Sequence, residues 1–141
     1  MMEPFEFMLG EWALDYQIPQ SVRHEACAGT GRGIMQRTLE DKYVTFDYHC
    51  DIQGAAGQAH GIFGWDEKLR LYRYWWFESS GHFQTAICKF IDSEMLFMTW
   101  QETLLIQTFR KTGPKEMLLD MKELDDRGEY RSVMQVVMTG S

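Results

Sequence analysis

The chain has 141 residues, of which 45% are hydrophobic and 14% aromatic, a composition that excludes intrinsic disorder and suffices for a single domain over residues 1–141. Its formal net charge is -7, and no cluster of lysine and arginine is present to neutralise phosphates, so we exclude nucleic acid as a partner. The apolar runs are far shorter than the roughly 20 residues of a membrane-spanning helix, so we expect no membrane insertion.

The first predicted element is a short helix over residues 3–9. Pro4 stands at a possible first helical position, and Phe5 and Met8 follow at helical spacing, which predicts one or two turns. The same segment lacks the basic region and the long apolar stretch of a secretion signal. We therefore expect a cytoplasmic protein.

Ten extended runs with turn residues between them follow the helix. They cover residues 12–18, 26–39, 44–52, 58–65, 69–77, 82–91, 95–102, 104–111, 116–124 and 129–138. Short connections of this kind predict an all-β, antiparallel, up-and-down sheet, and closure into a barrel removes its two edges. Since an eight-stranded barrel is just filled by its own side chains, a ten-stranded one should leave a cavity.

The fifth run, which follows a turn at residues 66–68, alternates two sets of side chains. One set contains Leu69, Leu71, Arg73, Trp75 and Phe77, and the other contains Arg70, Tyr72, Tyr74, Trp76 and Glu78. Because successive side chains of a strand point to opposite faces, only one set can face the interior. We predict that the first set lines the cavity and that the second forms an outward stripe suited to a homodimer contact.

Two short motifs carry a family resemblance. Leu9-Gly10-Glu11-Trp12 resembles the L-x-G-x-W opening of a bacterial lipocalin-like family of unknown function, and residues 61–66, GIFGWD, resemble its G-x-x-G-[YW]-D hairpin. The strand count and turn spacing are similar over nearly the whole chain. The resemblance implies a small closed barrel with a short helical plug, and it implies no particular substrate or catalytic residue.

Arg73 is the main candidate for a ligand contact, because a guanidinium on an apolar inward face must be paired. A ligand carboxylate is one such partner; an internal ion pair, or a position near the rim where the head group reaches water, is the alternative. The other candidate ligand-binding residues are aromatic, namely Trp75, Phe77, Tyr16, Tyr48 and Trp100. Simple core packing is the alternative for each of them, and Trp12 is expected to seal the barrel floor.

Metal and haem sites are not expected. His24, His49, His60 and His82 show no metal-ligand spacing, and no histidine follows His82 in the late strands. Cys27, Cys50 and Cys88 form no C-x-x-C motif and are interpreted as reduced core thiols. Gly29, Gly31 and Gly33 alternate in the second strand and predict a sharp bend, a close approach of another backbone or a gap in the wall, of which we favour the bend.

The leading hypothesis is that the barrel binds or carries a small apolar or amphipathic molecule without a cofactor. A second hypothesis is an enzyme that uses a polar group at the barrel mouth, with Arg73, His82 or His60 as participants. A third is a homodimeric interaction module. The sequence favours binding over catalysis, since no nucleophile, phosphate-binding or metal motif is present.

Overall fold

The computed structural model describes residues 1–141 and contains one short helix and ten strands. A 3-10 helix covers Glu3–Met8, and the strands are β1 (Gly10–Ile18), β2 (Cys27–Thr38), β3 (Tyr43–Ile52), β4 (Ala55–Asp66), β5 (Leu71–Glu78), β6 (Phe83–Asp92), β7 (Met95–Trp100), β8 (Leu105–Gly113), β9 (Glu116–Leu124) and β10 (Tyr130–Gly140). No helix is long and apolar enough to cross a membrane.

Each strand pairs antiparallel with the next one along the chain, and β10 pairs with β1 to close the barrel. The closing register places Leu14 opposite Met138 and Tyr16 opposite Val136, so apolar side chains of the first and last strands share the inner face. The predicted ten-stranded, antiparallel, closed barrel with a short N-terminal helix is confirmed.

The helix closes one end of the barrel, which we call the floor. Phe5 of the helix is 0% exposed and meets the rings of Phe63, Tyr72 and Phe90 at centroid distances of 5.0, 5.2 and 4.9 Å. The indole Nε1 of Trp12 donates a hydrogen bond to the Met8 carbonyl oxygen at 2.9 Å. Trp12 therefore helps to seal the floor, as predicted.

The predicted orientation of β5 is wrong. Tyr74 is 4% exposed and Tyr72 is also buried, whereas Phe77 is 47% exposed. Arg73, Trp75 and Phe77 thus lie on the outer face, together with Leu71, and the stripe of Tyr72, Tyr74 and Trp76 faces the interior. That stripe is therefore not available as a surface for a partner subunit.

The connection between β4 and β5 explains this reversal. A three-residue turn at 66–68 would place Trp65 opposite Leu69, but the connection spans residues 67–70 and places Asp66 opposite Leu71 and Trp65 opposite Tyr72. A register change of an odd number of residues moves every side chain of a strand to the opposite face, and here the partner of Trp65 changes by three positions, from Leu69 to Tyr72. Because Trp65 and Phe63 point inward, their partners Tyr72 and Tyr74 must do so as well.

The glycines of β2 lie on the inner face, where neighbouring strands crowd them. A Cβ atom at Gly31 would stand 2.3 Å from the backbone oxygen of His49, and one at Gly33 would stand 2.7 Å from the Cβ of Tyr48. The glycines thus permit a close approach of β3 to β2. Of the three predictions for this segment, the close approach of a neighbouring backbone is the one that these contacts show.

Candidate functional site

A cavity of about 330 Å³ occupies the half of the barrel away from the helix. Of its 22 lining residues, 17 are hydrophobic. The cavity extends toward the end that carries the connections 18–27, 52–55, 78–83, 100–105 and 124–130, which we call the mouth. Its volume is at the lower end of the usual range for small-molecule sites, about 300–1,000 Å³.

Aromatic side chains of five strands form much of the cavity wall, and hydrogen bonds fix several of them. The Trp76 indole donates to the Tyr48 hydroxyl at 2.8 Å, and the Trp100 indole donates to Oε1 of Gln107 at 3.2 Å. The rings of Trp76 and Trp100 meet edge to face, with centroids 6.1 Å apart. These contacts hold the wall in a defined shape before any ligand arrives.

Burial keeps the phenols of the wall neutral. It raises the pKa of Tyr48 to about 12, although the hydrogen bond from Trp76 acts in the opposite direction. Burial also raises the pKa of Tyr16 and places that of Tyr74 well above its ordinary value. These tyrosines therefore offer uncharged hydroxyl groups to the cavity at physiological pH.

Small residues of β4 make room for the aromatic side chains opposite them. A Cβ at Gly61 would overlap the ring and hydroxyl of Tyr74, and Ala59 pairs with Glu78 nearer the mouth. The cavity wall also includes Gly57. The alternation of small residues on β4 with large ones on β5 thus shapes this side of the cavity.

Polar side chains lie where the cavity approaches the mouth. Glu78 and Gln84 lie on the inner face there, and Glu78 is the only charged residue in the lining. Oε1 of Glu78 accepts a hydrogen bond from the Ser80 hydroxyl and lies 3.0 Å from Nδ1 of His82. The Ser80 hydrogen bond is the main cause of a lowered pKa for Glu78, with His82 contributing further, so this carboxyl is ionised at neutral pH.

The contacts of His82 do not form a catalytic relay. The Ser80 hydroxyl and the Glu78 carboxylate both approach Nδ1 of His82, at 3.1 and 3.0 Å. A relay requires the nucleophile and the orienting carboxylate to use different ring nitrogens of the histidine base. Glu78 with Ser80 and His82 therefore stabilises the β5–β6 hairpin without activating a nucleophile.

Arg73 does not contact the cavity. Its Nη1 lies 3.5 Å from Oδ2 of Asp66, and its guanidinium carbon lies 5.6 Å from the ring centre of Trp75 on the outer face. Backbone amides of Leu69 and Lys68 also bind Asp66, and the Leu69 amide is the main cause of its lowered pKa. Arg73 is thus part of the β4–β5 hairpin, and the predicted inward ligand anchor is wrong.

The other predicted site residues divide between the two faces. Tyr16, Tyr48 and Trp100 line the cavity, while Trp75 and Phe77 do not. The sequence analysis missed several residues of the wall, of which Trp76, Tyr74, Gln107 and Glu78 are the most informative. The correct β4–β5 register would have identified three of them. It places Tyr72 on the inner face, and Tyr74, Trp76 and Glu78 follow Tyr72 on that face.

Outside the barrel, His60 pairs with Asp47 across β3 and β4. His49 lies on the same outward face, opposite Gln58. No three His, Cys, Asp or Glu side chains are grouped so that they could hold a metal ion. Asp47 thus has a cross-strand partner in His60 on the outer surface of the barrel.

Comparison with known proteins supports the fold. No protein family model and no curated protein sequence matches the chain. The structure is similar to the crystal structure of Rv2717c from M. tuberculosis, with a TM-score of 0.73 and 9% identity over 99% of this chain and 96% of that one. It is also similar to a de novo designed fluorescence-activating β-barrel, with a TM-score of 0.51 and 9% identity over 100% of both chains. At this identity the likeness is one of fold.

Proposed function

We propose that the protein binds or carries a small, largely apolar molecule inside the barrel. The cavity of about 330 Å³ with its predominantly hydrophobic lining is the observation that carries this proposal. A polar group of the ligand would find hydrogen-bonding partners in the neutral tyrosine hydroxyls and in Gln107. Removal of apolar ligand surface from water supplies the affinity, at about 25 cal/mol per Å².

The distribution of apolar and polar residues along the cavity supports this proposal. Apart from the buried Gln107, the deep positions are aromatic, aliphatic or methionine, and the other polar side chains of the inner face, Glu78 and Gln84, lie near the mouth. Methionines 121, 134 and 138 line the side opposite the aromatic wall, and the flexibility of methionine suits ligands of varied outline. A lipocalin-like relationship belongs to the same proposal, and it is supported by the two sequence motifs together with the barrel fold.

Binding is a better account of the site than catalysis. The cavity lining contains no nucleophile placed beside a base, and near the mouth the Ser80 hydroxyl and the Glu78 carboxylate both contact the same ring nitrogen of His82. Cys50 lines the cavity, but burial raises its pKa, which disfavours the reactive thiolate.

Occupying the cavity with a larger side chain tests this function. Ala59 lines the cavity, whereas Ala56 of the same strand points outward and is exposed. We expect Ala59→Phe to weaken binding of naphthylmethanol, a neutral apolar probe, by roughly tenfold or more in isothermal titration calorimetry, since the new ring occupies the ligand's volume.

Ala56→Phe is the matched control and should bind naphthylmethanol like the unmodified protein. Circular dichroism and thermal unfolding should show that both variants remain folded. Equal binding by the two variants, or no binding by the unmodified protein, would contradict a cavity site for this class of molecule.

A further inference from the structure

We propose that the cavity selects ligands that carry a positively charged amine, with Glu78 as the counter-ion. This inference rests on the binding function proposed above. Glu78 is the only charged residue that lines the cavity, and no lysine, arginine or histidine is among its lining residues. A ligand with a carboxylate would meet repulsion at the mouth, whereas an ammonium group would meet an opposite charge.

The position of Glu78 suits this role. It follows Trp76 on the inner face of β5 and stands opposite Ala59 of β4, whose small side chain leaves space beside the carboxylate. The contacts with Ser80 and His82 both use Oε1, so they orient the group without using Oε2. The carboxylate is thus held in place with one oxygen available to a ligand.

The aromatic wall favours the same charge. The faces of tryptophan and tyrosine rings attract cations, and Trp76, Trp100 and Tyr48 all line the cavity. Tyrosine hydroxyls and the Gln107 amide can receive a polar tail without adding charge. The formal net charge of -7 also raises the local concentration of cations around the molecule.

Basic side chains do not neutralise the negative charge of Glu78 inside the cavity. Arg73 lies on the outer face and pairs with Asp66. Arg23, in the β1–β2 connection, lies 3.7 Å from Glu123 and is mostly exposed. His82 contacts Glu78 from the hairpin and has a side-chain exposure of 76%, so it lies largely in solvent.

Three probes with the same ring system test the selection, namely naphthylmethylamine, naphthylmethanol and naphthoate. We expect calorimetry to give the tightest binding for the amine and the weakest for the carboxylate. Glu78→Gln keeps the shape of the side chain and removes its charge. It should weaken binding of the amine by roughly three- to tenfold and leave naphthylmethanol within about twofold.

Glu102→Gln is the matched control, because Glu102 lies near the same end but binds the Thr85 backbone and hydroxyl and does not line the cavity. It should retain the preference for the amine. Equal affinities for the amine and the carboxylate, or an unchanged preference in Glu78→Gln, would overturn the selection while leaving the binding function intact. Failure of all three probes to bind would instead count against the binding function itself.

Discussion

The two halves of the barrel are built from the same ten strands, yet one is filled and the other is hollow. Near the floor, Phe5, Met8, Phe63, Leu96 and Met117 are all 0% exposed. Near the mouth, the inner face includes Glu78 and Gln84, and the cavity lies between them and the filled half. The helix makes the difference, because it inserts Phe5 and Met8 at the floor and has no counterpart at the mouth.

This contrast separates the roles of the two halves. Close packing near the floor removes most apolar surface from water and therefore supplies much of the stability. In the half near the mouth, apolar side chains of the inner face line a cavity and do not pack against one another. This lowers the stability somewhat, but it provides apolar surface that a ligand can contact. Substitutions near the floor should therefore change stability far more than binding. Substitutions of residues that line the cavity should change binding far more than stability.

The largest expected effect is at the floor. Phe5→Ala removes a ring that contacts Phe63, Tyr72 and Phe90, and the remaining hole can be filled only by shifting the helix. We expect the free energy of unfolding in urea to fall by about 3–5 kcal/mol.

Phe7→Ala provides the comparison within the same helix, since Phe7 is only partly buried and meets Phe90 at the longer distance of 6.4 Å. Its effect should be clearly smaller. Equal losses for the two variants would show that the helix does not close the floor through Phe5.

A second substitution tests the close packing of β3 against the glycines of β2. Gly31→Ala would place a methyl group 2.3 Å from the backbone oxygen of His49, which cannot move without disturbing the β2–β3 pairing. We expect a loss of about 1–3 kcal/mol in the free energy of unfolding.

Gly57→Ala is its matched control, because a Cβ at Gly57 meets nothing within 4 Å. That variant should be as stable as the unmodified protein or slightly more stable, because alanine restricts the unfolded chain. If Gly31→Ala proved equally harmless, the close approach of β3 to β2 would be excluded as the reason for the glycine.

Alkaline pH tests the burial of the aromatic wall. The pKa of Tyr48 is about 12 in the folded protein, against about 10 for an unfolded tyrosine. The unfolded chain therefore loses the proton first, so the contribution of the neutral phenol is complete below about pH 10 and declines as the pH rises toward the folded value. Stability should fall in that interval, measured by urea unfolding at each pH.

Tyr48→Phe should reduce the steepness of this decline by at most about 1.4 kcal/mol per pH unit. The lost hydrogen bond from Trp76 lowers stability at every pH, so the slope is the informative quantity. Tyr130→Phe removes an exposed phenol and should leave the slope unchanged. The same slope for Tyr48→Phe and the unmodified protein would contradict the buried position of Tyr48.

The strand pattern was predictable because it depends on local signals. Apolar alternation in β3 and turn residues between the strands specify ten runs, and short connections between them leave little choice of topology. The inner face of β5 was harder to predict, because both faces of this strand carry aromatic residues. Its orientation depends on a connection of four residues rather than three, and a turn residue such as Arg70, with φ of 54°, gives no strong signal of its own.

The candidate site was predictable only where the strand faces were clear. Tyr48 is on the unambiguous apolar face of β3, and the prediction that it lines the interior is confirmed. Glu78 shares the inner face with Trp76, so the correct register of β5 would have included it. A glutamate at a strand end next to Ser79 and Ser80 is nevertheless typical of a solvated turn and does not by itself indicate a cavity. Only closure of the barrel brings it to the rim of an apolar cavity.

The smallest expected effect concerns Arg73, which the inner-face prediction would make decisive for binding. Its ion pair with Asp66 is partly exposed and therefore worth about 1 kcal/mol or less. Arg73→Leu also removes the buried Nε atom, which has no hydrogen-bond partner, and this offsets part of the loss. We expect nearly unchanged stability and, for naphthylmethanol and naphthylmethylamine, affinities within about twofold of those of the unmodified protein, since an outward side chain can act on the cavity only through weak, solvent-screened fields. A larger change in either affinity would indicate that Arg73 points into the cavity. That result would contradict the inward orientation of Tyr72, Tyr74 and Trp76 in β5.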